Sequence, residues 1–155
     1  MAQNLHITID DKAVRNALHV APEQVVNTMH VSLQRSAVYA QRMFRINITD
    51  NGSVHTGELR RSVEFKFENK LAVNIRPMAK YAPFVEYGTK PHWTSVKNLE
   101  RWAKFRGINP YALQRSIAMH GTKPHPYEEK TFKQVQPYAI RNMQQSLNRA
   151  VKEIL

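Results

Sequence analysis

Between Pro22 and Arg45 the apolar residues Val26, Met29, Leu33, Ala37, Ala40 and Phe44 recur at spacings of 3, 4, 4, 3 and 4. That period lines them along one side of an α-helix, which over this span would be roughly 36 Å long. Pro22 suits a first helical turn, where its missing N–H is not needed, and Glu23 lies near the positive end of the helix dipole. A helix of this length must lie on other apolar surface, so the rest of the chain has to supply it. Val31 and Val38 fall on another face, which predicts more than one packing partner.

Strand patterns supply part of that surface. Leu5-His6-Ile7-Thr8-Ile9-Asp10 alternates apolar and polar, as a half-buried strand does. Further on, Val63, Phe65 and Phe67 share one face and Leu71, Val73 and Ile75 form a second set. Pairing Phe67 with Leu71, Phe65 with Val73 and Val63 with Ile75 keeps all six on one side of the sheet and predicts a three-residue turn, Glu68-Asn69-Lys70. Asn47 to His55 is polar, contains Asn51-Gly52, and reads as a mobile loop. Thr56 is a candidate N-cap for the turn that follows.

Short helices are predicted over Lys80–Tyr87, ended by Gly88; over Val96–Arg106, with Leu99, Trp102, Ala103 and Phe105 inward and Gly107 as the stop; and from Pro110 to Gly121, carrying Leu113, Ile117 and Ala118. Ile140, Met143, Leu147, Ala150 and Ile154 step into a C-terminal helix. The fold class is α+β: a small antiparallel sheet, made of the N-terminal strand plus a hairpin over 62–77, packed against the long helix. Residues 1–155 form one domain with a helical insertion at about 93–120. The segment is framed by an echo: Gly88-Thr89-Lys90-Pro91-His92 recurs as Gly121-Thr122-Lys123-Pro124-His125.

Composition excludes several classes. The 155 residues are 42% apolar and 23% charged, and no apolar run approaches the ~20 residues that cross a bilayer, so no membrane role is expected. With no cysteine there are no disulfides or thiolate sites. Met1-Ala2-Gln3-Asn4-Leu5-His6 lacks a signal-peptide pattern, so the expected setting is a cytoplasm or something assembled there. Lys and Arg number 23 against 12 Asp and Glu, a net charge of +11, which favours a polyanionic neighbour. From Arg101 to Val135 seven basic residues face only Glu128 and Glu129.

Catalytic patterns are thin. His92, His120 and His125 with Glu86 lack any fixed ligand spacing, and turn histidines explain them better than a metal. Glu64-Phe65-Lys66 places a carboxylate and an ammonium on one strand face, as metal nucleases do, but any amphipathic strand does the same. No phosphate-binding loop, nucleophile elbow or dinucleotide fingerprint occurs, so no enzyme and no cofactor is expected. Trp93, Trp102, Phe105 and Tyr111 interleave with Arg101, Lys104, Arg106 and Arg115, a pattern fit for nucleic acid or for an acidic protein.

Three phrases in order go beyond composition: His55-Thr56-Gly57-Glu58-Leu59-Arg60-Arg61-Ser62-Val63; Tyr81-Ala82-Pro83-Phe84-Val85-Glu86-Tyr87-Gly88-Thr89; and Gly121-Thr122-Lys123-Pro124-His125-Pro126-Tyr127. Together they resemble the tail-completion, or head–tail joining (neck), family of HK-type siphophages. The chain departs from that pattern at Pro126-Tyr127-Glu128-Glu129-Lys130, where the family has Phe-Leu and small residues. The resemblance implies a non-enzymatic virion protein, assembled in the host cytoplasm. Such a protein forms a ring, commonly a hexamer, between the head–tail adaptor or connector and the tail terminator or tail tube, with genomic DNA passing non-specifically through the lumen. Interfaces favour aromatic anchors, and Tyr81, Phe84, Tyr87, Trp93 and Trp102 fall in one short window. With Glu86 and Thr89 they form the candidate interface; sealing the sheet against its helices is the other reading of the aromatics. The 93–120 segment and the Asn47–His55 loop are expected to project towards neighbours. Arg101, Lys104, Arg106 and Arg115 are candidate contacts to DNA or to acidic partners. A basic DNA-binding accessory protein is the alternative function.

Overall fold

The structure, a computed structural model, describes residues 5–8, 23–52 and 56–154. It is α+β. In chain order the elements are β1 (Leu5–Thr8), α1 (Glu23–Asp50), α2 (Glu58–Arg61), β2 (Val63–Asn69), β3 (Ala72–Pro77), α3 (Ala82–Tyr87), α4 (Val96–Arg106), α5 (Pro110–His120) and α6 (Glu128–Ile154). The three strands form one antiparallel sheet in the order β1-β3-β2. Among the described residues no helix is long and apolar enough to cross a membrane.

α1 is the middle layer. Its Leu33, Ala37, Ala40, Phe44 and Ile48 join Val63, Val73 and Ile75 of the sheet, Leu59 of α2 and Tyr127 and Val135 of the α6 end in one buried cluster. Against α6 its contact is more extensive than against either strand. Near the helix start, Val25 and Met29 close a smaller cluster with Ala150. α1 thus has two partners, as predicted, but Val31 and Val38 serve neither and stay exposed.

Two asparagines fasten α1 to α6 in opposite directions. Asn47 Nδ2 of α1 donates to Thr131 Oγ1 at 2.9 Å and to Gln134 Oε1 at 2.8 Å. Asn142 Nδ2 of α6 donates to the Ser32 carbonyl at 2.9 Å and to Ser36 Oγ at 3.1 Å. Tyr39 and Tyr138 stack between them with ring centroids 4.0 Å apart. Two amides, Asn47 buried and Asn142 half-buried, each held by two acceptors, fix the axial position of one helix on the other.

Several expectations need correction. α1 does not end near Arg45: Asn47 to Asp50, assigned to a loop, are helical, because Asn47 is bonded across to α6 and Ile48 fills the core. Asn51 and Gly52 form the turn that follows; residues 53–55 of the expected loop lie outside the described residues. The hairpin register is displaced by two residues. Phe67 faces Val73, Phe65 faces Ile75 and Val63 faces Pro77, while Asn69 pairs with Ala72 across a two-residue turn, Lys70-Leu71. A bulge at Glu68 absorbs the odd residue, and Asn69 Oδ1 accepts the Leu71 N–H at 2.8 Å, an Asx turn that closes the tighter loop. α6 begins at Glu128, well before the predicted stripe, and Ile140 of that stripe is exposed while its neighbour Ala139 is buried. Thr56 Oγ1 does accept the Glu58 N–H at 3.3 Å, but the residue in the capping position is Gly57.

Candidate functional site: a junction and the helical hairpin it carries

The three phrases, far apart in sequence, meet in one place. The first turns at Gly57, whose φ of 73° belongs to the left-handed region that glycine tolerates. Leu59 enters the core, and Ser62 then does double work: its hydroxyl donates to the Leu59 carbonyl at 2.8 Å and accepts the Ala79 N–H at 3.2 Å. The Ser62 carbonyl also accepts the Met78 N–H at 2.8 Å. The turn is thereby tied to the approach of α3, where the Tyr81 hydroxyl reaches Glu58 and the Leu59 backbone. Burial, then the Glu58 charge, raises the Tyr81 pKa.

α3 joins the second phrase to the third. Glu86, only 5% exposed, accepts the Tyr127 N–H at 2.8 Å and the Glu128 N–H at 3.3 Å. A carboxylate from elsewhere in the chain thus satisfies orphan donors in the first turn of α6 and meets the positive end of its dipole. Burial still raises the Glu86 pKa, offset in part by those two N–H groups. Beside it, burial and then the Glu86 charge push Glu128 up to about 7, although the Tyr87 hydroxyl donates to it at 3.3 Å. Tyr127 is fully buried; its hydroxyl donates to the Ala82 carbonyl at 3.2 Å and its ring meets Phe44 edge-on. Burial first, then the neighbouring carboxylates, drives its phenol pKa up.

The two Gly-Thr-Lys-Pro-His runs cross here. Thr89 and Thr122 exchange N–H···O bonds of 3.2 Å in both directions, and their hydroxyls lie 3.1 Å apart. Gly88 and Gly121 both have φ of 71°, and a Cβ on either would strike the carbonyl of the opposite threonine. The echo in sequence is therefore a near-symmetric crossing that needs glycine on both strands. Chain strands entering and leaving α4 and α5 are clamped together at this neck.

Beyond the neck, α4 and α5 pack mainly on each other. Ser95 precedes α4, Gly107 ends it with φ of 66°, and Asn109 caps α5 by accepting the Tyr111 and Ala112 N–H groups. Within this hairpin only Ala103 and Ile117 are buried, while Trp93 is 75% exposed, Tyr111 69% and Phe105 63%. Phe105, predicted to face inward, faces out. Between Gly88 and His125 Lys90, Lys97, Arg101, Lys104, Arg106, Arg115 and Lys123 stand against Glu100 alone.

The candidate residues separate into three groups. Tyr81, Phe84 and Tyr87 recur every third residue along the outer side of α3, with Phe84 59% exposed. Glu86 and Thr89 are internal, holding α6 and the neck. Trp93 and Trp102 belong to the hairpin, Trp102 half-buried beneath the Arg106 guanidinium at 5.5 Å. Arg106 also donates to the Gly52 carbonyl at 3.0 Å, so it braces the hairpin, whereas Arg101, Lys104 and Arg115 are exposed. The turn at Asn51-Gly52 does not project freely, since Asn51 Nδ2 donates to the His125 carbonyl and His125 Nδ1 donates to the Asn51 carbonyl.

The His92 ring nitrogen is likewise spent on the Lys90 carbonyl, and among the described residues no group of three or more His, Asp or Glu gathers to hold a metal. Glu64 and Lys66 are exposed on β2, opposite Arg76 and Asn74. The α1–α6 asparagine clamps escaped sequence reasoning because a single Asn in a helical run gives no periodic signal. No family model matches the chain, and no match is found among curated proteins or solved structures.

Proposed function

We propose that this chain is a non-enzymatic structural protein of a tailed-phage virion, a subunit of a closed ring that joins the head-side adaptor to the tail while DNA passes through the lumen. The meeting of the three phrases supports it: Ser62, Glu86 and the Thr89–Thr122 pair bind residues from all three into one junction. In this reading the junction is the rigid part, and the outer side of α3 with the hairpin beyond the neck contacts neighbouring subunits. A ring needs a head-to-tail contact between two different surfaces of each copy, and exposed Phe84 and Trp93 are anchors of the right chemistry.

Native mass measurement of the purified chain, alone and with adaptor and tail-tube proteins, tests the reading. The expected result is a discrete ring, six-fold on the resemblance, that Phe84→Ala with Trp93→Ala disperses without unfolding the subunit. Each anchor is worth about 2 kcal/mol of contact. Particles lacking the protein should accumulate as full heads and finished tails that do not join. A strict monomer that never enters particles overturns the reading. Exposed Trp93 and Tyr111 on the same hairpin as exposed Arg101 and Arg115 favour a second reading, a DNA-binding accessory protein. Phosphate contact predicts affinity for DNA that falls steeply with salt, and flat or absent binding removes it.

A further inference from the structure

The side of α1 turned away from the core carries a stripe of its own. Val31, Arg35, Val38, Arg42 and Ile46 follow one another at spacings of 4, 3, 4 and 4. Val31 is 45% exposed, Val38 52% and Ile46 38%, although the opposite side of the same helix builds the core. The three aliphatics recur at seven and eight residues, once every two helical turns, so they line one side of the helix with the arginines between them. Two open depressions lie on this side, one against Arg60 of α2 and the other against Ser146 and Arg149 of α6. Between them they extend from Asn27 to Asp50, on the order of 34 Å along the helix axis.

Charge narrows the occupant. Among the described residues Arg35, Arg42 and Arg60 enter no ion pair, and the acid at the end of the stripe, Asp50, is matched with Lys130 at 3.6 Å. A second copy laid on the same face would set arginine against arginine. Duplex DNA would engage the guanidinium groups and leave three branched aliphatic side chains against a sugar–phosphate surface that cannot desolvate them. A helix with aliphatic residues at matching intervals and carboxylates beside them satisfies both sets, because guanidinium pairs carboxylate in a planar two-bond geometry.

We propose that the outer face of α1 is a docking seam for an acidic amphipathic helix of a partner protein, its apolar residues seated on Val31, Val38 and Ile46 and its carboxylates on Arg35, Arg42 and Arg60. The seam runs up to the turn where His125 and Arg106 hold Asn51 and Gly52, and it does not depend on ring formation.

The test uses the whole chain and a fluorescent synthetic helix of about 24 residues, on the order of the seam's length. Leucine occupies its inner heptad positions and glutamate the flanks. A scrambled peptide of identical composition, a lysine-for-glutamate counterpart and a DNA duplex serve as competitors. The acidic helix should bind saturably and in preference to all three. Val38→Ser leaves the charge unchanged and should weaken binding about tenfold, as should Arg42→Gln, with circular dichroism confirming that both variants fold. Lys66→Gln, an exposed cation on β2, should leave it within about twofold. Equal binding of the scrambled peptide, indifference to Val38→Ser, or preference for the duplex would each overturn the proposal.

Discussion

The layered body and the α4–α5 hairpin follow opposite packing rules. In the body Leu33, Phe44, Ile48, Val63, Val73, Ile75 and Tyr127 are sealed from water, and α1 is held from both sides. In the hairpin only Ala103 and Ile117 are buried, and three of the four Trp, Tyr and Phe rings, Trp93, Tyr111 and Phe105, lie outward. The body spends most of its apolar surface on itself, the outer stripe of Val31, Val38 and Ile46 excepted; the hairpin leaves most of its own in solvent. The contrast separates side chains that hold the fold from those that leave apolar surface in solvent.

The sharpest way to break this contrast compares Phe44→Ala with Trp93→Ala. Removing the fully buried ring should cost about 4 kcal/mol by denaturant titration, whereas removing the exposed one should change monomer stability by less than about 0.5 kcal/mol. Comparable losses would mean that the hairpin is as integral to the core as α1. Next in size is the neck. Gly121→Ala forces a Cβ into the Thr89 carbonyl at a positive φ and should cost about 3 kcal/mol. Gly107→Ala, at a similar φ with open space around it, should cost only about 1 kcal/mol. Amide exchange should show the Gly121 variant loosening the hairpin before α1. The smallest effect is a pH dependence at the junction. Because Glu128 holds its proton up to about 7 in the fold but to near 4.5 when unfolded, the native state binds more protons between those values. Stability should therefore fall as pH rises through that window, with Glu86 acting in the same direction. Solvent screening of the half-buried carboxyl limits the change to about 1 kcal/mol, and Glu128→Gln should flatten the slope in thermal melts taken from pH 5 to 8.

Much of this was legible in the sequence where periodicity or a single residue decides. The α1 stripe, the glycine stops of α3, α4 and α5, and the sheet face of the hairpin follow from local rules. Parity could not choose the hairpin register, because a shift of two residues leaves every side chain on the same face; the bulge at Glu68 chose it. The end of α1 was hidden for a different reason. Asn47, Thr49 and Asp50 have poor helix propensity, and partners at Thr131 and Gln134 outweigh it. At the junction the phrases themselves could be read, and the doubled pentapeptide announced something. That Glu86 would cap α6, and that the two runs would cross, depends on contacts spanning the whole hairpin, which no window of sequence contains.

The crossing of Thr89 and Thr122 has an evolutionary corollary. With departure and return fastened side by side, the excursion between them is a cartridge: it can lengthen, shorten or be exchanged for another while the chassis beneath keeps its geometry. Change within the excursion is then uncoupled from the constraints on the core beneath it.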